Sequence, residues 1–201
     1  MMSTYKLHTP ISEEDIRRLK VNDILYVTGV MVTARDEAHI RALEFRRKGK
    51  KLPLDLAGKV IYHCGPVMQK KSDGTWVAVA AGPTTSTRLE PYEDEFIKSF
   101  KPRIIIGKGG MGQRTTNTMA EFGAVYCAFT GGAAILGADA IRCVRDVAWL
   151  DLGMPEAMWL LEVKAFGPLV VAVDSHRGNL YYEVDRKVKL NRECIFQKLA
   201  V

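Results

Sequence analysis

The chain has no CxxC pair, no apolar run of membrane-spanning length and no apolar stretch at its N-terminus, and each absence excludes a class. Its four cysteines, Cys64, Cys127, Cys143 and Cys194, stand singly, whereas metal sites and disulfide frameworks show tighter spacing. They read as buried, reduced core residues, and no metal ligand set is expected in this chain. No run approaches the roughly 18 apolar residues of a membrane span. The opening Met1-Met2-Ser3-Thr4-Tyr5-Lys6 has no secretory h-region, so a cytoplasmic location is expected. Aromatic residues interleaved with basic ones, the pattern of RNA-binding surfaces, are missing too. The net charge of +6 is therefore not read as a nucleic-acid footprint. Its densest run, Arg46-Arg47-Lys48-Gly49-Lys50-Lys51, closes a helix, where cations complement the dipole. A basic surface also steers an acidic substrate or an acidic partner subunit.

What is present fits one globular domain. The 201 residues are 47% hydrophobic, enough for a core. The pattern predicts a domain over residues 1–185 and a basic tail over 186–201. Ser12-Glu13-Glu14-Asp15 opens a helix in the manner of a capping box. Residues 24–33 are apolar and β-branched, so they form a strand, and Thr33 to Asp36 then cap a second helix, which Gly49 stops. Residues 59–63 form a short strand, Asp73-Gly74 marks a hairpin, and 76–81 return from it. A helix over 93–100 ends before Pro102. The run 103–106 is a buried strand, 113–122 a helix stopped by Gly123, and 124–129 the next strand. A helix over 133–136 and a strand over 141–147 follow. Residues 158–163 and 169–173 read as two strands parted by Gly167-Pro168. Together these elements indicate a mixed α/β domain with covered sheets.

Two segments carry candidate chemistry. In the first, Gly107-Lys108-Gly109-Gly110-Met111-Gly112, the glycines satisfy GxGxxG between a strand and a helix, the context of dinucleotide binding. Two features weigh against that reading. About half the chain precedes the loop, and the ribose-binding acid expected about 20 residues on is replaced by Thr130-Gly131-Gly132. It is no Walker A loop either, since Lys108 precedes the glycine pair. The plainer reading is a tight strand-to-helix turn; the sharper one makes Lys108 an anion ligand beside exposed amides. The second segment is Gly82-Pro83-Thr84-Thr85-Ser86-Thr87-Arg88. Helix capping accounts for one or two of its hydroxyls. It does not account for Arg88 near a helix start, where the dipole disfavours a cation, and a bound anion does. Arg35 repeats the arrangement after Thr33. Two arginines and a lysine in turns that follow strands suit a dicarboxylate, because guanidinium binds carboxylate bidentately.

These segments resemble the beta subunit of the two-subunit, iron–sulfur-dependent class I fumarases and L-tartrate dehydratases, and the C-terminal domain of the single-chain members. The likeness covers residues 29–174. It rests on Thr33-Ala34-Arg35-Asp36-Glu37-Ala38-His39, on Tyr62-His63-Cys64-Gly65-Pro66 and on Ala81 to Arg88. Ile106-Gly107-Lys108-Gly109, Gly131-Gly132-Ala133-Ala134 and Leu152-Gly153-Met154-Pro155-Glu156-Ala157 continue it. The resemblance implies a swivelling β/β/α domain and the reversible hydration of a C4 dicarboxylate such as fumarate. It implies a [4Fe-4S] cluster held by cysteines of an alpha subunit and not by this chain. It further implies Thr84 as the catalytic base and Arg35, Arg88, Lys108 and Thr85 as substrate ligands, with Asp36, His39, Gly107 and Gly109 in support. An alpha partner, an (αβ)2 assembly and no nucleic acid or membrane partner go with it. Single-chain fumarases typically read Ala-Gly where this chain has Ser86-Thr87. Either residue meets a further substrate hydroxyl, as tartrate would offer, or caps the helix, and capping is favoured. L-Tartrate dehydration, a stand-alone phosphate- or nucleotide-binding module built on the glycine loop, and a non-catalytic assembly subunit remain the alternatives.

Overall fold

Strands and helices alternate along most of the chain. The computed structural model describes residues 2–199. In order, the elements are β1 (Thr4–His8), α1 (Glu13–Arg17), β2 (Ile24–Thr33), α2 (Asp36–Arg47), β3 (Val60–Tyr62), β4 (Val67–Lys70) and β5 (Trp76–Ala80). A 3-10 turn (Ser86–Leu89) leads into α3 (Glu90–Phe100). Then come β6 (Ile104–Gly107), α4 (Gln113–Phe122), β7 (Val125–Ala128), α5 (Ala134–Asp139), β8 (Ile141–Ala148), a 3-10 turn (Leu150–Leu152), β9 (Met158–Val173) and α6 (Leu180–Lys198).

Seven strands form one sheet in the order β1-β2-β3-β6-β7-β9-β8, and β9 also pairs with β2. Strands β1, β2, β3, β6 and β7 run parallel, while β9 is antiparallel to both β7 and β2. The sheet therefore closes on itself through β2, β3, β6, β7 and β9. Closure explains the unbroken apolar runs: a strand covered on both faces needs no polar alternation. Val60, Tyr62, Ile104, Ile106, Val125 and Cys127 point into the ring with Leu25, Met31, Trp159 and Phe166. The intervening Ile61, Ile105 and Tyr126 point outward, beneath Ala38, Ala42 and Leu43 of α2, Phe96 and Ile97 of α3 and Met119 of α4. The β4–β5 hairpin is a separate two-stranded sheet, docked through an edge-to-face contact of Trp76 with Trp159, centroids 5.1 Å apart.

Several sequence expectations change. Residues 158–173 form one strand, not two. Positive φ at Ala165 and Gly167 and register shifts against β2 bend β9 without breaking it, as bulges do. Its first part pairs with β8 and its last with β7. The edge strand β1 was not expected. Helix α3 begins at Glu90, with Pro91 in its first turn, where proline's missing N–H costs nothing. Helix α6 passes through position 185, where the sequence reading starts a basic tail. Cys64 and Cys127 are buried as expected, but Cys143, on β8, and Cys194, on α6, are exposed. Among the described residues, no helix is long and apolar enough to cross a membrane.

Candidate carboxylate-binding site

The carboxyl ends of parallel strands are where α/β sheets present ligand-binding loops, and the candidate residues gather there. Arg35 follows β2 and Lys108 follows β6. Thr84 and Thr85 lie between them, on the segment after β5. Backbone hydrogen bonds fix this arrangement. Thr84 N donates to His63 O at 2.6 Å, Lys108 N to Thr84 O at 3.2 Å and Ser86 N to Lys108 O at 2.7 Å. Thr85 and Lys108 form an isolated parallel bridge. Thr84 and Thr85 are half-buried, whereas Lys108 and Arg88 are exposed. Among the described residues no carboxylate pairs with Lys108, whose side chain runs along Gly131 after β7; a Cβ there would lie 3.4 Å from Lys108 Cδ.

The arginines are held by acids. Arg35 Nε pairs with Glu156 Oε1 at 2.8 Å and with Asp36 Oδ2 at 3.3 Å. Arg88 pairs with Asp36 through both Nε, at 3.3 Å to Oδ1, and Nη2. Burial pushes the Asp36 carboxyl up. The hydrogen bond from Arg88, a backbone amide and Arg35 outweigh it and hold the carboxyl below its usual range. Gly65 leaves room for Arg35, because a Cβ there would sit 2.6 Å from Nη1. The arginine near a helix start therefore has Asp36 as its partner in the chain. Thr33 does not cap α2, as its hydroxyl donates to Ala157 O at 3.3 Å and accepts from Trp159 N at 3.0 Å. Arg35 occupies the N-cap position without a side-chain cap.

Beneath this edge lies a buried polar chain that the sequence reading largely missed. His39 Nδ1 is 3.0 Å from Arg35 O, and the Nε2 atoms of His39 and His63 lie 3.3 and 3.1 Å from Glu93 Oε2. His63 Nδ1 is 2.9 Å from Ser86 Oγ, which accepts from Tyr126 OH at 3.1 Å. His39, His63, Ser86 and Glu93 are all fully buried. Ser86 thus neither caps a helix nor faces a ligand. Burial works against ionisation of Glu93, and any N–H or positive charge that the two imidazoles turn toward it works the other way, lowering its pKa. Burial pushes the pKa of His63 down, against the pull of Glu93. Glu93 shares the inner stripe of α3 with Phe96 and Ile97. A glutamate on an apolar stripe was the available signal.

The glycine loop does different work from an anion cradle. A methyl at Gly107 would overlap Ser86 Oγ, so this glycine admits the Ser86–His63 contact. Gly109 and Gly110 take the left-handed conformation, with φ of +82° and +83°, which suits residues without a Cβ. The Tyr181 ring packs against Gly110. At the start of α4, Gly112 N donates to Glu90 Oε2 at 2.6 Å and Thr115 N to Oε1 at 3.3 Å. A side-chain carboxylate thus occupies the helix-end amides that a pyrophosphate would need, which counts against the nucleotide-binding alternative.

The four cysteines are dispersed over the fold, Cys64 after β3, Cys127 on β7, Cys143 on β8 and Cys194 on α6. Burial pushes the Cys64 thiol up to about 12 and raises that of Cys127, and the two exposed thiols stand on separate elements.

The family described as the fumarase C-terminus matches residues 2–184. The chain is 41% identical to L(+)-tartrate dehydratase subunit beta of Escherichia coli (strain K12), over 96% of this chain and 94% of that one. It is 49% identical, over 90% of this chain and 94% of the relative, to a Methanocaldococcus jannaschii protein provisionally named L(+)-tartrate dehydratase subunit beta. A Geobacillus stearothermophilus protein provisionally named fumarate hydratase class I is 46% identical over 90% of this chain, which spans 34% of that longer protein. The chain belongs to the fumarase C-terminus family.

Proposed function

We propose that this chain is the beta subunit of a two-chain hydro-lyase that interconverts fumarate and (S)-malate. Its partner is an alpha subunit carrying a [4Fe-4S] cluster, within an (αβ)2 assembly. The observation that carries this reading is the gathering of Thr84, Lys108, Arg88 and Arg35 at the carboxyl ends of the parallel strands β2, β3 and β6. An exposed array of cations around a hydroxyl is half of a dicarboxylate site, and a second chain would complete it. When bound to the alpha subunit, the cluster supplies Lewis acidity toward the substrate hydroxyl. None of its ligands come from this chain, and a swivelling of this domain against the alpha subunit would close the site.

The roles proposed for this chain follow from charge. Arg35, Arg88 and Lys108 bind the substrate carboxylates and offset the negative charge that grows as the C3–H bond breaks. In the dehydration direction Thr84, as its alkoxide, takes the C3 proton, and the C3–H electron pair becomes the new double bond as the C2–O bond breaks. The proton now on Thr84 is returned to the departing hydroxide, which leaves as water and restores the alkoxide. A threonine hydroxyl is a weak base at neutral pH and needs neighbouring cations to lower its proton affinity, a part suited to Lys108, whose backbone is bonded to that of Thr84.

L(+)-Tartrate is the second reading, favoured by the names of two relatives that match over nearly their whole length. Malate is kept as the first reading because Ser86, one of the two candidates for meeting tartrate's extra hydroxyl, is buried against His63 and Tyr126, which leaves only the exposed Thr87 for that contact. The test is anaerobic turnover of fumarate and of L-tartrate by the co-expressed, cluster-loaded pair. Fumarate hydration that needs both chains supports the proposal. Turnover of tartrate alone moves the assignment to the second reading, and turnover of neither rejects both.

A further inference from the structure

His39, His63 and Glu93 form a cluster that the carboxylate-binding edge does not use. They come from α2, from the residue after β3 and from α3, and all three are fully buried. Each Nε2 approaches Glu93 Oε2, at 3.3 and 3.1 Å, yet neither contact is an aligned hydrogen bond. Both Nε2 atoms and both Glu93 oxygens are left without an aligned hydrogen bond. Buried polar atoms are rarely orphaned singly, and here four of them, on three side chains, lie close together.

The outer nitrogens indicate what the inner ones can do. Arg35 O, 3.0 Å from His39 Nδ1, can only accept, so Nδ1 carries the hydrogen. In the neutral ring, Nε2 is then a lone pair facing a carboxylate. Ser86 Oγ, 2.9 Å from His63 Nδ1, is a hydroxyl and can likewise accept from that nitrogen. An imidazole that gives one N–H to a backbone carbonyl or hydroxyl and turns its other lone pair inward has the outer-shell pattern of a metal-ligating histidine. The two Nε2–Oε2 separations, 3.3 and 3.1 Å, match the ligand edges of roughly 3.0–3.5 Å that bonds of about 2.0–2.2 Å to nitrogen and carboxylate oxygen give. The ligand atoms lie within 4.8 Å of one another, and the second Glu93 oxygen, also unpaired, allows a closed set of two nitrogens and two oxygens.

We propose that His39, His63 and Glu93 form a structural site for one divalent cation of the zinc class, pinning α2, β3 and α3 together beneath Arg35 and Ser86. Imidazole and carboxylate ligands suit a borderline ion, and its charge offsets a carboxylate that has left water. Because the three side chains are sealed from solvent, the ion enters as the chain folds.

The test needs neither substrate nor alpha subunit, so failure of the hydro-lyase reading leaves it intact. Untagged full-length chain, purified alone from zinc-supplemented medium, is expected to hold about one equivalent of zinc after dialysis. Refolding from denaturant with Co2+ alone should give the visible absorption of a bound ion. Refolding with EDTA should yield a species that melts well below the Zn2+-refolded one, and Glu93→Gln should reduce the zinc content at least about ten-fold. The wild-type measurements stand even if that variant does not fold. Zinc below about 0.1 equivalent, with identical melting after refolding in EDTA or Zn2+, would overturn the site.

Discussion

Asp36 and Arg88 form a two-point ion pair that ties the first turn of α2 to the turn before α3. Because Asp36 also pairs with Arg35, one carboxylate orients both guanidinium groups at the proposed substrate edge. Asp36→Asn should therefore raise KM for the dicarboxylate about 3–30-fold while kcat changes less. Steady-state kinetics of the reconstituted pair measures this. Tighter substrate binding in the variant would instead mean that Asp36 competes with substrate for the arginines.

The same pair sets a pH dependence. The Asp36 carboxyl is held below its usual range, so its folded pKa is below its unfolded one. The stability it contributes is then present above the unfolded pKa and lost as pH falls through the folded value. Urea midpoints of wild type and Asp36→Asn should differ at neutral pH and converge in acid. A gap that persists at the lowest pH at which both fold contradicts this.

Gly107→Ala should destabilise the fold by roughly 2–4 kcal/mol, through overlap with Ser86 Oγ and the loss of its contact with His63. Urea unfolding tests it, and an unchanged midpoint would show that the loop has room to shift. GxGxxG was legible in the sequence, but its reason was not. Gly107 is needed because Ser86, 21 positions earlier in the chain, packs against it, a contact that exists only after β3, β5 and β6 are assembled.

Thiol titration gives a quick check of burial. Cys143 and Cys194 should react with a disulfide reagent in the native state, while Cys64 and Cys127, sealed and with raised thiol pKa, wait for denaturant. Fast reaction of all four would mean that the ring opens readily.

Local signals carried much of the fold. Gly123 stops α4 in the left-handed conformation, Asp73-Gly74 turns the β4–β5 hairpin, and the isoleucine run of β6 is buried on both faces. Signals failed where the deciding contact is remote. Gly167-Pro168 looks like a break, yet β2 holds β9 on both sides of it. Cys143 looks like a core residue, yet it lies on β8, at the sheet edge. Arg35, Thr84, Arg88 and Lys108 were readable as cations and hydroxyls in turns after strands. The acids that position them, Asp36 and Glu156, and the His39–Glu93–His63 cluster depend on tertiary packing.

Residues 186–198 of α6 bury no side chain, and helical stability in proteins comes mostly from packing. Truncation after Asp185 should change the unfolding free energy of the isolated chain by less than about 0.5 kcal/mol. A larger loss would contradict this and show that residues 186–198 pack against the rest of the isolated chain in solution.

The central claim is that this chain brings the base to the reaction, and Thr84→Ala in the reconstituted pair tests it most directly. Expected is a fall in kcat of about 10²–10⁴-fold, with KM within about three-fold of wild type and partial recovery in Thr84→Ser. Near-normal kcat in Thr84→Ala would contradict the claim and remove Thr84 from the chemistry.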